Sequence, residues 1–147
     1  MEYIKNIFAF LFLALLISLG LHWIESNFIA EFLKSNLIII LLTLLAINTA
    51  TVSILLSKLK EISEKHKDFN FEESYGSLKS SLTEQIVLIC FGFIVLILAD
   101  SKIIQAKLPY QEIIFNTLNT AIFIYSVDIL RDTGKAIFII VDFEKKK

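Results

Sequence analysis

Hydrophobic positions along this chain fall in long blocks rather than in alternation, and four blocks stand out, at about 5–24, 37–57, 84–101 and 112–130. The second anchors the reading. Leu37 to Leu56 is twenty residues without a charge, which as a helix spans about 30 Å and matches the hydrocarbon core of a bilayer. Its second half is polar for a lipid-facing helix, with Asn48, Thr49, Thr51 and Ser53 within two turns near mid-depth. At helical spacing Thr43, Ala46, Thr49, Ala50, Ser53 and Ser57 share one side, while Asn48 and Thr51 fall on another. Small residues at four-residue spacing let membrane helices approach closely. A carboxamide at that depth needs a partner or water, and hydrocarbon offers neither. The pattern therefore predicts a spanning helix surrounded by protein.

The first block, Ile7 to Ile24, is interrupted only by Ser18, Gly20 and His22. It is long for a signal-peptide core, and no Ala-x-Ala-like site precedes Leu21-His22-Trp23, so it reads as a retained helix. Trp23 is its interfacial anchor and His22 a headgroup-level residue. Glu25 to Ser35 forms a short outer connector. Beyond Ser57 the chain turns charged, and Lys60 with Glu64 and Glu61 with Lys65 are four apart, as in a solvated helical extension. Asp68 to Gly76 reads as a turn, with helix resuming around Ser77 and Ser81-x-x-Glu84 at the spacing of a capping box. The apolar part of the third block, Ile86 to Ala99, is fourteen residues, roughly 21 Å. That is short for a bilayer, so protein contacts or local thinning must accommodate Glu84, Gln85 and Asp100. Ser101 to Gln111, with Pro109, is the second outer connector. After the fourth block, Ala136 to Phe143 is too short to span. The helical spacing of Ile129, Thr133, Ala136, Ile137 and Ile140 favours a helix there over a strand.

Composition agrees: of 147 residues 56% are hydrophobic and 20% charged, with mean hydropathy +0.71, which is an integral membrane protein and not a soluble domain. A net charge of −1 gives no pull toward a nucleic-acid duplex. Cys90 is the only cysteine, which excludes disulfide frameworks and CxxC sites, and its apolar setting predicts a small buried hydrophobe. Eleven of the basic residues fall on the side of both termini and of residues 58–79, and three on the other, which makes the richer side cytoplasmic. The expected fold is all-α. It is a single polytopic domain over 1–147 in the bacterial inner membrane, with four transmembrane helices, a cytoplasmic helical segment 58–83, a cytoplasmic C-terminal helix 131–143 and both termini cytoplasmic.

Nothing in the chain resembles a catalytic set. There is no nucleophile–base–orienter group, metal-ligand spacing, glycine-rich phosphate loop or HExxH, so no enzyme, cofactor or metal is expected. The intramembrane chemistry on offer is amides and hydroxyls: Asn48 and Thr51 in the second span, and Asn116, Asn119 and Thr120 in the fourth. Either these groups bond to one another across helices and specify packing, or some line a polar path on the symmetry axis of an oligomer, where apolar rings gate by dewetting. Lys58, Lys60, Lys67 and Arg131 are the regulatory or ligand-binding candidates on the cytoplasmic face, against the simpler role of contacting anionic headgroups.

Three segments carry a resemblance. They are Leu44 to Leu59 running into the charged extension, Glu84-Gln85-Ile86 entering a short third span, and Ile124-Tyr125-Ser126-Val127-Asp128-Ile129-Leu130-Arg131-Asp132-Thr133-Gly134-Lys135. Together they resemble the small four-pass membrane effectors of bacterial anti-phage systems, most nearly the membrane subunit of the Hailong system, with a more distant likeness to the four-pass exclusion protein of phage lambda. The resemblance implies a homo-oligomeric ion channel, with a tetramer favoured. It would be kept closed by a nucleotide-type signal from a partner nucleotidyltransferase and opened on infection to depolarise the cell. The alternatives are a non-conducting membrane adaptor that anchors a cytoplasmic partner, and a holin-like pore.

Overall fold

The computed structural model describes residues 2–65 and 71–145, with side chains described over 6–65 and 71–140. Among them the chain is all-α: α1 (Glu2–Trp23), α2 (Phe28–Lys65), α3 (Glu72–Ala99), α4 (Lys102–Lys107) and α5 (Gln111–Lys145). All but α4 are long and apolar enough to cross a membrane.

The helices run further than the hydropathy blocks. Glycine and proline are absent from 28–65, so α2 is unbroken and the expected connector at 25–35 shrinks to the four residues between α1 and α2. At 22 residues α1 ends in a tight reversal: the Ser26 N–H donates to Leu21 O at 2.9 Å and Glu25 N–H to His22 O at 3.2 Å, with Glu25 at φ 54. This is a Schellman motif with glutamate at the left-handed position that glycine usually fills. The turn expected through Gly76 is displaced. α3 starts at Glu72, where Glu72 and Glu73 place negative charge on its first turn and complement the helix dipole. Ser81 is thus mid-helix and caps nothing; Ser80 is the residue that donates to Glu84, at 3.1 Å. The helix expected after 131 is the continuation of α5 itself.

α1, α2, α3 and α5 alternate in direction, so the charged extensions of α2, α3 and α5 leave from one end and the short connectors lie at the other. The centre of the bundle is α5, which packs against α1, α2 and α3, whereas α1 is packed almost wholly on α5. Among the described residues of α1 the buried ones are Ala14 and Ser18, four apart, a small pair suited to close approach, and Phe10 stacks on Tyr125 of α5 at 5.4 Å between ring centroids. Two apolar cores are built along α2. One joins Leu33, Leu37 and Leu41 to Val95 and Ile122; the other, toward the charged end, joins Val52, Leu55 and Leu59 to Leu78. In the first, α2 and α3 meet at Gly92, where a Cβ would lie 3.2 Å from Leu41 Cδ1.

Two expectations change here. α2 is covered on one side only: Leu33, Leu37, Leu41, Asn48, Val52, Leu55 and Leu59 are buried, while Thr43, Ala46, Thr49, Ala50, Ser53 and Ser57 on the opposite side are exposed. Cys90 is exposed too. Both follow from the solvent. Lipid is as apolar as a protein core, so an apolar run does not say which of its faces packs on protein.

The Gly92 contact sets a graded test. Gly92→Ala should be tolerated, since the tip of Leu41 need move only slightly. Gly92→Leu should cost about 1–3 kcal/mol by overpacking, read as loss of thermal stability in detergent. Equal stability of the two variants would show that α2 and α3 do not meet at this point.

Candidate functional site

Between the two apolar cores lies a polar layer that joins three helices. Asn48 is fully buried, and its Nδ2 donates to Gln85 Oε1 at 2.8 Å and to Ser81 Oγ at 3.0 Å. Ser81 Oγ lies 3.1 Å from Thr133 Oγ1, and Thr133 donates to Ile129 O at 3.2 Å. Because Ser81 accepts from Asn48 and the Thr133 proton is committed to Ile129, Ser81 is the donor between the two hydroxyls. The bonds then run in one direction from α2 through α3 to α5. Asn48 Oδ1 and Gln85 Nε2 are buried without a protein partner, so the amide pair makes one of its two possible reciprocal bonds.

The helix registers explain why these residues meet. α2 and α3 are antiparallel, and the register that puts Leu41 on Gly92 puts Asn48, seven residues later in α2, on Gln85, seven residues earlier in α3. Read alone, the sequence places Asn48 with Thr51; the structure separates them. Thr51 is half-buried on the flank of α2 and donates to Ile47 O at 2.9 Å. Gln85, Ser81 and Thr133 are the partners that spacing within one helix does not reveal. The available signal was depth: Asn48 and Gln85 are the amides nearest each other in height on adjacent antiparallel helices.

The exposed face of α2 is chemically uniform. Thr43 donates to Ile39 O at 2.8 Å, Thr49 to Leu45 O at 2.7 Å, Ser53 to Thr49 O at 2.8 Å and Ser57 to Ser53 O at 3.0 Å. Each proton is turned back onto the helix, so what faces outward is a ladder of oxygen lone pairs. Ile39 and Leu42, both exposed, continue this face toward the connector end.

The outer half of α5 holds the second group. Asn119 and Thr120 are buried and Asn116 half-buried. They divide between two cavities. Asn116 and Thr120 line one of about 30 Å³ with Ser18 and His22, room for about one water. Asn116 and Asn119 line another of about 280 Å³ with Glu31, Lys34 and Gln105. Ser18 Oγ at the first, Asn119 Oδ1 at the second and, elsewhere on α5, Thr117 Oγ1 are buried without protein partners among the described residues.

Of the cationic candidates, Lys67 lies outside the described residues. Lys60 is exposed, and Lys58 Nζ pairs with Glu61 at 2.9 Å. Arg131 Nη2 pairs with Asp128 at 2.7 Å and reaches Asp132 at 3.5 Å. Lys58 and Lys60 belong to α2 and Arg131 to α5, so the cations are set on separate helices, and Lys58 and Arg131 each have a carboxylate partner on their own helix. No protein-family model, curated protein or solved structure matches the chain.

Two predictions follow from this geometry. In a double-mutant cycle of Asn48→Ala and Gln85→Ala, the coupling should fall at about 0.6 to 1.7 kcal/mol, the range of interhelical bonds in membranes. Strictly additive losses of stability would mean the amides do not bond. The Glu61 carboxyl is lowered from 4.5 to about 2 by its hydrogen bonds to Lys65 and Lys58 and by their charge. A lowered carboxylate pKa stabilises fully above the unfolded value and less as pH falls toward the folded one, so the end of α2 should hold its ion pairs above about pH 4.5 and lose them between there and about 2. A side-chain NMR titration midpoint for Glu61 near 4.5 would show the pairs are not held.

Proposed function

We propose that the chain assembles as a homo-oligomer, with a tetramer favoured, around an axis lined by the exposed face of α2, and that this axis is an ion path across the bacterial inner membrane. The observation that carries the reading is the hydroxyl ladder Thr43, Thr49, Ser53 and Ser57, exposed at span depth directly opposite the packed side of α2. Lipid has no donor or cation for those lone pairs, whereas water and ions on a shared axis do. An oxygen-only lining favours cations over anions. Ile39 and Leu42 supply an apolar ring on the same face, of the kind that gates by dewetting. On this reading Asn48 holds α2 against α3 and acts on conduction through that helix, and Thr51 flanks the path.

The biological role proposed is an anti-phage effector that depolarises the membrane when open. Its charged end would face the cytoplasm, where Lys58, Lys60, Lys67 and Arg131 receive a nucleotide-type signal or its partner enzyme. One feature favours the second reading, a non-conducting adaptor: the extensions of α2, α3 and α5 enclose an apolar groove of about 380 Å³ lined by Leu59, Ile62, Phe71, Leu78 and Ile140, which suits a partner's apolar side chains.

Native mass spectrometry of gently extracted protein should give a closed ring of four or more subunits; a monomer or dimer removes the axial path. In liposomes, Ser53→Leu should reduce cation flux about tenfold or more with the subunit count unchanged. With Cys90 replaced by serine, Ser53→Cys should be blocked by a charged thiol reagent and Ile86→Cys, on the exposed side of α3, should not. Flux that is indifferent to Ser53→Leu, with the ring intact, would favour the adaptor.

A further inference from the structure

Two cavities that meet at Glu84 have complementary characters. The larger, about 590 Å³, is a slot between α1 and α3 floored by α5, with walls that include Phe10, Leu11, Val87, Phe91, Leu118 and Ile122. It lies at span depth and is left open because α1 packs mainly on α5. The smaller, about 150 Å³, lies at the charged end and is lined by polar groups including Ser77, Ser81, Asp128 and Asp132. Glu84 and Tyr125 belong to both. An apolar slot thus ends on a carboxylate, and the carboxylate is fixed in place: Ser80 Oγ donates to its Oε1 at 3.1 Å and Tyr125 OH to its Oε2 at 3.0 Å.

The charges around this junction are not equivalent. Asp128 is paired with Arg131, and Asp132 with Arg131 and Lys135. Glu84, by contrast, has only neutral hydroxyls as hydrogen-bond partners among the described residues. A half-buried carboxylate that has hydroxyl partners and, among the described residues, no cation, at the end of a membrane-depth slot, calls for a cationic donor attached to a hydrocarbon chain.

We propose that this is a phospholipid site. One acyl chain lies in the slot between α1 and α3, and a primary-ammonium headgroup, as in phosphatidylethanolamine, donates hydrogen bonds to Glu84. Lys79, exposed one residue before Ser80 on α3, is the cation this proposal assigns to the lipid phosphate. A primary ammonium has N–H donors for the carboxylate; a quaternary choline head has none, so the site discriminates between two lipids of equal net charge. The lipid also supplies the second packing surface that α1 lacks. None of this rests on conduction by the protein.

The test is competitive lipid retention. The full chain is reconstituted with phosphatidylethanolamine, phosphatidylcholine and phosphatidylglycerol of matched acyl chains, extracted in mild detergent and weighed by native mass spectrometry. The wild type should retain the ethanolamine lipid over the choline lipid by about tenfold, the value of one hydrogen bond to a charged group. Glu84→Gln should bring the two near parity. Val87→Trp, at an exposed slot position, should reduce retention of both while leaving the fold intact. Equal retention by the wild type would overturn the proposal, as would a preference that survives Glu84→Gln. A strong preference for phosphatidylglycerol would overturn it in favour of binding governed by lysines. Crosslinking of Val87→Cys to a second copy, with Cys90 replaced, would assign the slot to a subunit contact instead.

Discussion

A hydrogen bond between two side-chain amides, Asn48 to Gln85, fixes what the remainder of the bundle can do. Neither group can be left unpaired in hydrocarbon, so α2 and α3 must meet at the height where both are present. That height selects one antiparallel register. The same register brings Gly92 against Leu41 and leaves the apolar cores above and below the polar layer in contact. It also decides orientation about the axis of α2. With Asn48 turned inward, the small hydroxyl residues half a turn away are turned out.

The same polar layer ties α5 to the pair through Ser81 and Thr133, and α5 in turn carries α1. The packing is therefore asymmetric. Three helices share interlocking cores, while the fourth packs along α5, with Ala14 and Ser18 buried and Phe10 stacked on Tyr125. The slot beside α1 and the ladder on α2 lie on different parts of the surface and share no residue.

Four helices long and apolar enough to cross a membrane were legible in the sequence because the hydrophobic length a span needs follows from bilayer thickness. The ends of the helices were not. Water at the interface lets charged residues continue a helix, so hydropathy falls at Ser57 and Leu130 while α2 and α5 run on without a break. Burial was the hardest feature to read. Cys90 sits in an apolar run and faces outward. Asn48 and Thr51 lie three residues apart on one helix and have unrelated surroundings. In a soluble protein the apolar face identifies the core; in lipid only the polar residues carry that information, and they do so in pairs across helices. Asn48 was visible as a residue needing a partner, whereas choosing Gln85 required the α2–α3 register.

The unbroken course of α2 has a mechanical consequence. The helix is 38 residues long, about 57 Å, and has no proline or glycine at which to bend. Its amide bond to α3 lies near its middle. The two apolar cores hold it on either side of that bond, at Leu33, Leu37 and Leu41 and at Val52, Leu55 and Leu59, so the helix moves as one stiff element with the helices packed along it. The charged end around Lys60 and the end around Ile39 are thereby joined in one rigid body, and a displacement of either is shared by the bundle.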